Sequence, residues 1–398
     1  MKYKLWKYID QFLFALINIG TILFISKFIN EHEASKYIYV TTFTSLSLVV
    51  NAAFIISPTW YYCTNIEKLK EYHSFNLLLL ILSSIIVSFL IYNLMREKSL
   101  FLSINIFLLC LLFPLFDYLR RILYILKDEK KAGISSLLLV CITLTSYVIL
   151  KFIYNIEEYT YYISYLILSL AASALFIIIN IKLKYEISFH IKMLFSPQKL
   201  KNYINLGKWS ALSMLCFWIS TQGIFIIFNN HISDQAFVIS KVCLSFSSII
   251  AIFFSAIENN LMPSLRKNII NNDLVNIEKI KIKYFKNGFL ISILFTFISI
   301  SFYFLLYKFN YTALFTILTL CFYQAFSGIF KIYAYLLKSI NKYNLIFYIN
   351  SFCTILILTS ASILLDKSNY IISLTILFFG ISTSILYKIA LYFHFHLR

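Results

Sequence analysis

Apolar residues in this chain gather into long blocks separated by short polar turns. Twelve such blocks lie near 11–28, 37–57, 75–94, 100–122, 132–151, 160–180, 209–228, 236–257, 288–307, 311–333, 345–365 and 371–393. A helix rises 1.5 Å per residue, so a run of about 20 apolar residues crosses the ~30 Å hydrocarbon core of a bilayer. The blocks lack the ten-residue apolar-polar alternation of an outer-membrane barrel. The pattern predicts an all-α, polytopic helical membrane protein with about twelve transmembrane helices. The first block follows Lys2, Lys4 and Lys7, as in a secretory signal. Its apolar stretch is about 18 residues long with no A-x-A cleavage site after it, so it reads as a retained first helix.

Composition agrees with the pattern. Of 398 residues, 60% are hydrophobic and 13% charged, and the mean hydropathy is +0.80. A soluble domain needs about a quarter of its residues charged, so the bilayer must be the solvent here. Forty Phe and thirty Tyr go with an AT-rich coding bias, so aromatic stripes carry little information about ligands. The net charge of +18 is what the positive-inside rule produces and does not imply nucleic acid.

The positive charges orient the chain. With the N-terminus in the cytoplasm, 27 of the 35 Lys and Arg residues fall in inner segments and 7 in outer ones, and Lys241 lies within a span. Both termini are therefore expected in the cytoplasm. A missed span would invert every later loop, so an asymmetry sustained from end to end supports the count of twelve.

The longest connections near the middle divide the chain into a six-helix lobe at 1–180, a cytoplasmic linker at 181–208 and a second six-helix lobe at 209–398. Two lobes of six spans are a transporter arrangement. Within the linker, Ile187, Phe189, Ile191, Met193 and Leu194 are mixed with His190, Lys192 and Lys199; this reads either as a short helix on the inner leaflet or as a plain basic connection. A gapless shift of 200 residues pairs Thr21 with Thr221, Phe28 with Phe228, Asn30 with Asn230, Ser45 with Ser245, Ser47 with Ser247 and Phe54 with Phe254. An even number of spans per half keeps both halves in one orientation, so the shift hints at a parallel duplication.

Polar residues at span depth are the candidate chemistry, because a charge there costs about 2.5–3.5 kcal/mol on insertion scales. Lys241 either lines a water-filled cavity or snorkels to the outer interface. Asp117, Arg120 and Arg121 are spaced i, i+3 and i+4, so the carboxylate can neutralise one guanidinium and leave the other for a phosphate or for an ordinary basic flank. Glu258 and Lys331 can pair across helices, or the glutamate can carry a coupling ion. Asn18, Asn51, Asn105, Gln222, Gln324 and Asn350 either line a polar route or bond helix to helix.

Catalytic constellations are missing from the sequence. Seven cysteines include no C-x-x-C pair, and there is no P-loop or H-E-x-x-H. His394 and His396 alone are too few for a metal site. The expectation is a non-enzyme with no catalytic residues, no metal and no cofactor; coupling to protons or sodium stays open.

From span seven onward the chain resembles a known family. The residues are Gly207, Lys208 and Trp209, then Ser213, then Ser220, Thr221 and Gln222, then Ile232 to Phe237, then Lys241, and finally Pro263, Ser264 and Leu265. This stretch is similar to the start of the C-terminal half in Wzx-type O-antigen/oligosaccharide flippases of the multidrug/oligosaccharidyl-lipid/polysaccharide (MOP) exporter superfamily. The stretch before Lys36 and the Arg120 to Ala132 segment resemble the family's first hairpin and fourth-to-fifth turn. Two features depart from it: Gln222 stands where the family often has Asp, and Ala34 and Ala236 stand where Gly is expected.

The resemblance implies a flippase that moves an undecaprenyl-diphosphate-linked oligosaccharide repeat unit from the inner to the outer leaflet of the bacterial inner membrane by alternating access. It implies headgroup contacts at Arg120, Arg121 and Lys241, cavity walls at Gln222, Asn51 and Asn18, and partners among membrane lipids, a polysaccharide polymerase and a chain-length regulator. Asp117, Glu258 and Lys331 remain candidates for ion pairing or coupling. Two other readings stay open: a polysaccharide polymerase-type glycosyltransferase, although the large outer loop of that class is missing, and a multidrug or ion-coupled exporter, which would want a carboxylate deep in the first helices. Asp10 lies too near the inner interface for that.

Overall fold

The computed structural model describes residues 2–63, 66–94, 99–185, 197–228, 231–271, 273–340, 342–364 and 370–396. Twelve helices among them are long and apolar enough to cross a membrane. They are α1 Lys2–Phe28, α2 Glu31–Asn51 continuing through a π-helical turn Ala52–Ile56 into Ser57–Tyr62, α3 Ile66–Leu94 and α4 Leu100–Ile125. Next come α5 Glu129–Val148 with a π turn Ile149–Ile153, α6 Tyr159–Tyr185, and α7 Pro197–Trp218 with a π turn Ile219–Gly223 and a last segment Ile224–Phe228. The remainder are α8 Asp234–Ile270, α9 Leu274–Leu306, α10 Tyr311–Ser339, α11 Tyr343–Leu364 and α12 Ile371–His396. All twelve apolar blocks are helices, and no strand occurs among the described residues. Backbone groups in lipid have no water to bond, which leaves helix as the local solution for each block.

The helices run past the apolar blocks at their polar ends; α8 reaches Ile270, far beyond the block ending near 257. Side-chain caps begin several of them. Asn30 Oδ1 accepts from Glu33 N at 2.9 Å, Ser99 Oγ from Leu102 N at 3.1 Å and Asp273 Oδ1 from Asn276 N at 3.1 Å, each satisfying a first-turn amide that has no partner within its helix. At the other end of α4, Lys127 adopts φ 57°. Lys127 N bonds Tyr124 O at 3.1 Å and Asp128 N bonds Leu123 O at 2.8 Å, closing the helix as a Schellman turn with lysine where glycine is usual.

The chain forms two compact units, Met1–Leu215 and Cys216–Arg398. In the first unit α2, α3 and α6 pack on α4, α5 packs on α6 and α1 packs along α5. In the second, α8, α9 and α12 pack on α10, α11 packs on α12, and the π turn of α7 touches α11. Advancing each helix number by six maps one set of pairs onto the other, in agreement with the 200-residue shift. Residues 186–196, which hold Ile187, Phe189, His190, Ile191, Lys192, Met193 and Leu194 of the linker, lie outside the described residues.

Two close contacts show how the packing is reached. Pro114 lies inside α4 and removes the amide that Cys110 O would accept from four residues on. Ser84 of α3 offers a replacement donor, its single hydroxyl proton shared between Cys110 O at 2.8 Å and Leu80 O of its own helix at 2.7 Å. In the second unit, the Phe254 ring of α8 occupies the space where Gly328 of α10 would carry a Cβ. Tyr284 of α9 donates to Gly328 O at 2.8 Å, so three helices meet on one residue without a side chain.

Candidate functional site

The charged residues predicted for the membrane fall into two separate arrangements, one in each unit. In the first, Asp10 on α1 is fully buried and accepts from Arg120 Nη1 at 2.6 Å and from Ser136 Oγ of α5 at 2.5 Å. Tyr124 also donates to Asp10. Arg120 is 1% exposed and gives Nη2 to Asp117 Oδ1 at 2.7 Å, and its guanidinium lies 4.0 Å from the centroid of the Phe14 ring. Arg121 reaches the same Asp117 carboxylate through Nε at 3.1 Å. Two aspartates and two arginines thus balance, binding α1, α4 and α5 at the end that the lysine pattern places in the cytoplasm.

This corrects the expectation of one guanidinium left over. Both arginines contact Asp117, and Arg120 has a second carboxylate that spacing along α4 alone could not reveal. Asp10 lies too near the inner interface for its position along the chain to mark it as a deep carboxylate. Its burial comes from α5 packing along α1. Arg120 Nε is buried with no partner among the described residues. Arg121 keeps 31% side-chain exposure and borders a small cleft lined by Ile56, Thr59, Tyr118, Ile122 and Ile125.

Beside this cleft, Asn76 of α3 donates to Thr59 Oγ1 at 3.0 Å and to Tyr118 Oη at 3.2 Å, and His73 Nδ1 lies 3.1 Å from the same Tyr118 hydroxyl. The rings of Tyr62, Tyr72 and Tyr203 stack in parallel with centroids 5.9–6.0 Å apart. Lys199, ion-paired to Glu71 at 3.0 Å, lies 4.6 Å from the Tyr72 centroid. Burial pushes the nearby Cys63 thiol up to about 12, so it stays protonated and inert. In the turns at the opposite end of the unit, hydrogen bonds from Asn30 and Lys151 hold the Glu157 carboxyl below the usual carboxylate range.

The second arrangement is centred on Lys241 of α8. It begins seven residues after Asp234, about 10 Å along the helix axis. Lys241 is 4% exposed, so within the unit it neither snorkels nor faces an open cavity. Nζ donates to Gln222 Oε1 of α7 at 2.6 Å and lies 4.3 Å from the Phe225 centroid. Among the described residues no carboxylate comes within ion-pair distance of it. Gln222 sits in the π turn Ile219–Gly223, a one-residue widening that often marks functional positions in helices. Ser220 of this turn is 2.9 Å from Thr354 Oγ1 of α11, and the single Thr354 hydroxyl proton is shared between Asn350 O at 2.7 Å and Cys216 O at 3.1 Å.

The remaining candidates divide. Asn51 is buried and donates to Pro114 O at 3.2 Å, an interhelical bond at the proline of α4. Asn350 accepts from Tyr387 Oη at 2.5 Å and Asn105 Oδ1 from Ser164 Oγ at 3.4 Å, again helix to helix. Asn18 is exposed on α1. Lys331 lies 5.6 Å from the Tyr335 centroid; the side chain of Glu258, its expected partner, lies outside those described. No group of three or more metal-ligating side chains occurs among the described residues.

Comparison with known proteins adds the fold. No family model matches the sequence, and no curated protein does. Solved structures do match. One is the inward-facing conformation of a multidrug resistance MATE family transporter of the MOP superfamily, with a TM-score of 0.70 at 13% identity over 96% of this chain and 93% of that one. The outward-facing conformation of such a transporter matches with a TM-score of 0.67 at 13% identity, over 97% and 93% of the two chains. A third is a MOP superfamily transporter from Pyrococcus furiosus, described by the reverse polarity of its binding pocket and a suggested different function; its TM-score is 0.66 at 13% identity, over 98% and 93%. The chain has the fold of these transporters along nearly its whole length.

Proposed function

We propose that this chain is a transporter of an anionic lipid-linked substrate: a flippase that carries an undecaprenyl-diphosphate-linked oligosaccharide from the inner to the outer leaflet of the bacterial inner membrane by alternating access. The observation that carries the reading is the charge inventory of the buried residues. The two carboxylates buried among the described residues, Asp10 and Asp117, are both matched by arginines, whereas the buried cation Lys241 has only an amide and an aromatic ring. A carrier of cationic drugs would want the opposite, an uncompensated carboxylate.

In this reading Lys241 receives the diphosphate and Arg121 meets it at the cytoplasmic end, while Arg120 serves the fold. A glycan needs a hydrated route, to which Asn18 contributes, and the polyprenyl chain stays in lipid. Both termini are cytoplasmic, and a polysaccharide polymerase and chain-length regulator act on the delivered product. The pocket polarity reported for the Pyrococcus transporter supports the view that one fold serves substrates of different charge.

A multidrug exporter is the second reading, favoured by the multidrug resistance transporters among the matching structures. Deleting the gene and locating the lipid-linked glycans separates the two. Single repeat units held on the cytoplasmic leaflet are expected. Unchanged glycans with raised sensitivity to cationic drugs would establish the exporter instead, and unpolymerised units on the outer face would mean a polymerase.

A further inference from the structure

Gln222 is expected by resemblance to line the substrate route, yet its carbonyl oxygen is already committed to Lys241 at 2.6 Å. An ammonium has three donors and no acceptor. Here the acceptor it holds is one neutral amide, backed by the face of Phe225 at 4.3 Å, and the residue is 4% exposed. Charge-assisted bonds to a phosphate oxygen are stronger than those to a neutral amide. A diphosphate arriving at Lys241 therefore competes directly with Gln222 for the same protons.

The geometry lets the amide leave without unseating its helix. Ser220, in the same π turn, is tied to Thr354 of α11 at 2.9 Å, and Thr354 shares its proton with Cys216 O at 3.1 Å. Thr221 Oγ1 bonds back to Phe217 O at 2.8 Å. The turn is held by its neighbours, so the Gln222 side chain can give up its bond to Nζ while the turn stays in place. We infer that Gln222 is an internal placeholder for the anionic headgroup: it keeps Lys241 satisfied in the empty carrier and is displaced when the anion binds. This rests on the reading that Lys241 receives the anion. A group that must be displaced lowers apparent affinity by the fraction of time it occupies the site.

The role reverses the sign expected of a substrate contact. The test is equilibrium binding of farnesyl diphosphate, a short-chain polyprenyl diphosphate, to the purified full chain in detergent, comparing wild type with Gln222→Ala, Gln222→Met, Gln222→Glu and Lys241→Gln, each checked for a monodisperse profile. Gln222→Ala and the near-isosteric Gln222→Met are expected to bind roughly tenfold tighter, the equivalent of losing one competing bond to a charged group. Gln222→Glu is expected to bind at least tenfold weaker, because a carboxylate is a stronger competitor. General damage to the fold weakens all three variants and cannot produce a gain. If wild type binds in a Lys241-dependent way but Gln222→Ala and Gln222→Met bind equally or more weakly, the placeholder role is overturned while the Lys241 reading stands. If Lys241→Gln binds as well as wild type, or wild type does not bind, the Lys241 reading fails and the placeholder falls with it.

Discussion

Arg120 Nη1 and Asp10 Oδ2 lie 2.6 Å apart across 110 residues of sequence, with both side chains at most 1% exposed. A buried pair of this kind is tolerated because each charge is also bonded elsewhere, Asp10 by Ser136 and Tyr124 and Arg120 by Asp117. Taking away Arg120 leaves Asp10 buried with hydroxyl donors but no counter-charge, which costs about 3–5 kcal/mol, whereas taking away Asp10 leaves Arg120 its ion pair with Asp117 and costs less. Arg120→Ala should sharply lower the yield and melting temperature of the purified protein, and Asp10→Ala should lower them less. The double variant should lose less than the two single losses combined. Strict additivity would show that the pair is not coupled.

Arg121 should behave differently although it is adjacent. Its side chain is 31% exposed and shares Asp117 with Arg120, so Arg121→Gln should cost no more than about 1 kcal/mol of stability. If Arg121 meets the substrate at the cytoplasmic end, export falls while protein level holds. Normal export by this variant would confine Arg121 to the basic flank.

Ser84 and Pro114 are linked through a carbonyl that neither owns. Removing the hydroxyl leaves Cys110 O unpaired at the site where proline withdrew its amide, so Ser84→Ala should destabilise by about 1–2 kcal/mol. Alanine at position 114 returns the amide. In a Pro114→Ala background the same Ser84→Ala change should therefore have a smaller effect on the melting temperature, and an equal effect in both backgrounds would count against this account.

Lys127 stands at φ 57°, a conformation that costs residues with a Cβ about 1–2 kcal/mol relative to glycine. Lys127→Gly should raise the melting temperature by a few degrees without changing orientation, since Arg120, Arg121, Lys130 and Lys131 remain on that side. A drop in melting temperature would mean that the lysine side chain contributes more than its backbone strain removes.

Gly328 should reject any side chain. The Phe254 ring fills the place of its Cβ, so Gly328→Ala should reduce the folded fraction of the purified protein by size-exclusion profile. Phe254→Ala in the same chain should restore part of it by clearing the space. No rescue would indicate that α8 and α10 meet through contacts other than this one.

What the sequence determined by itself is the class, the twelve helices and the apolar middle of each, while the polar ends extend up to about fourteen residues past the blocks, as in Leu274–Leu306 and Asp234–Ile270. The reason is local: in hydrocarbon every backbone bond must close within its own segment, so each helix is written in one continuous run of about 20 residues. A repeat of the halves was only hinted at by six matches at a shift of 200; the matching helix pairs in the two units are a finding of the structure. The tertiary structure alone decided which polar residues pair. Spacing along α4 joined Asp117 to one arginine, but nothing in the order of residues gave it both, pointed Arg120 to Asp10 or turned Lys241 from the interface to Gln222. The last two partners, Asp10 and Gln222, sit on different helices, 110 and 19 residues away, and only the rotation and depth at which two helices pack bring such groups to a common point.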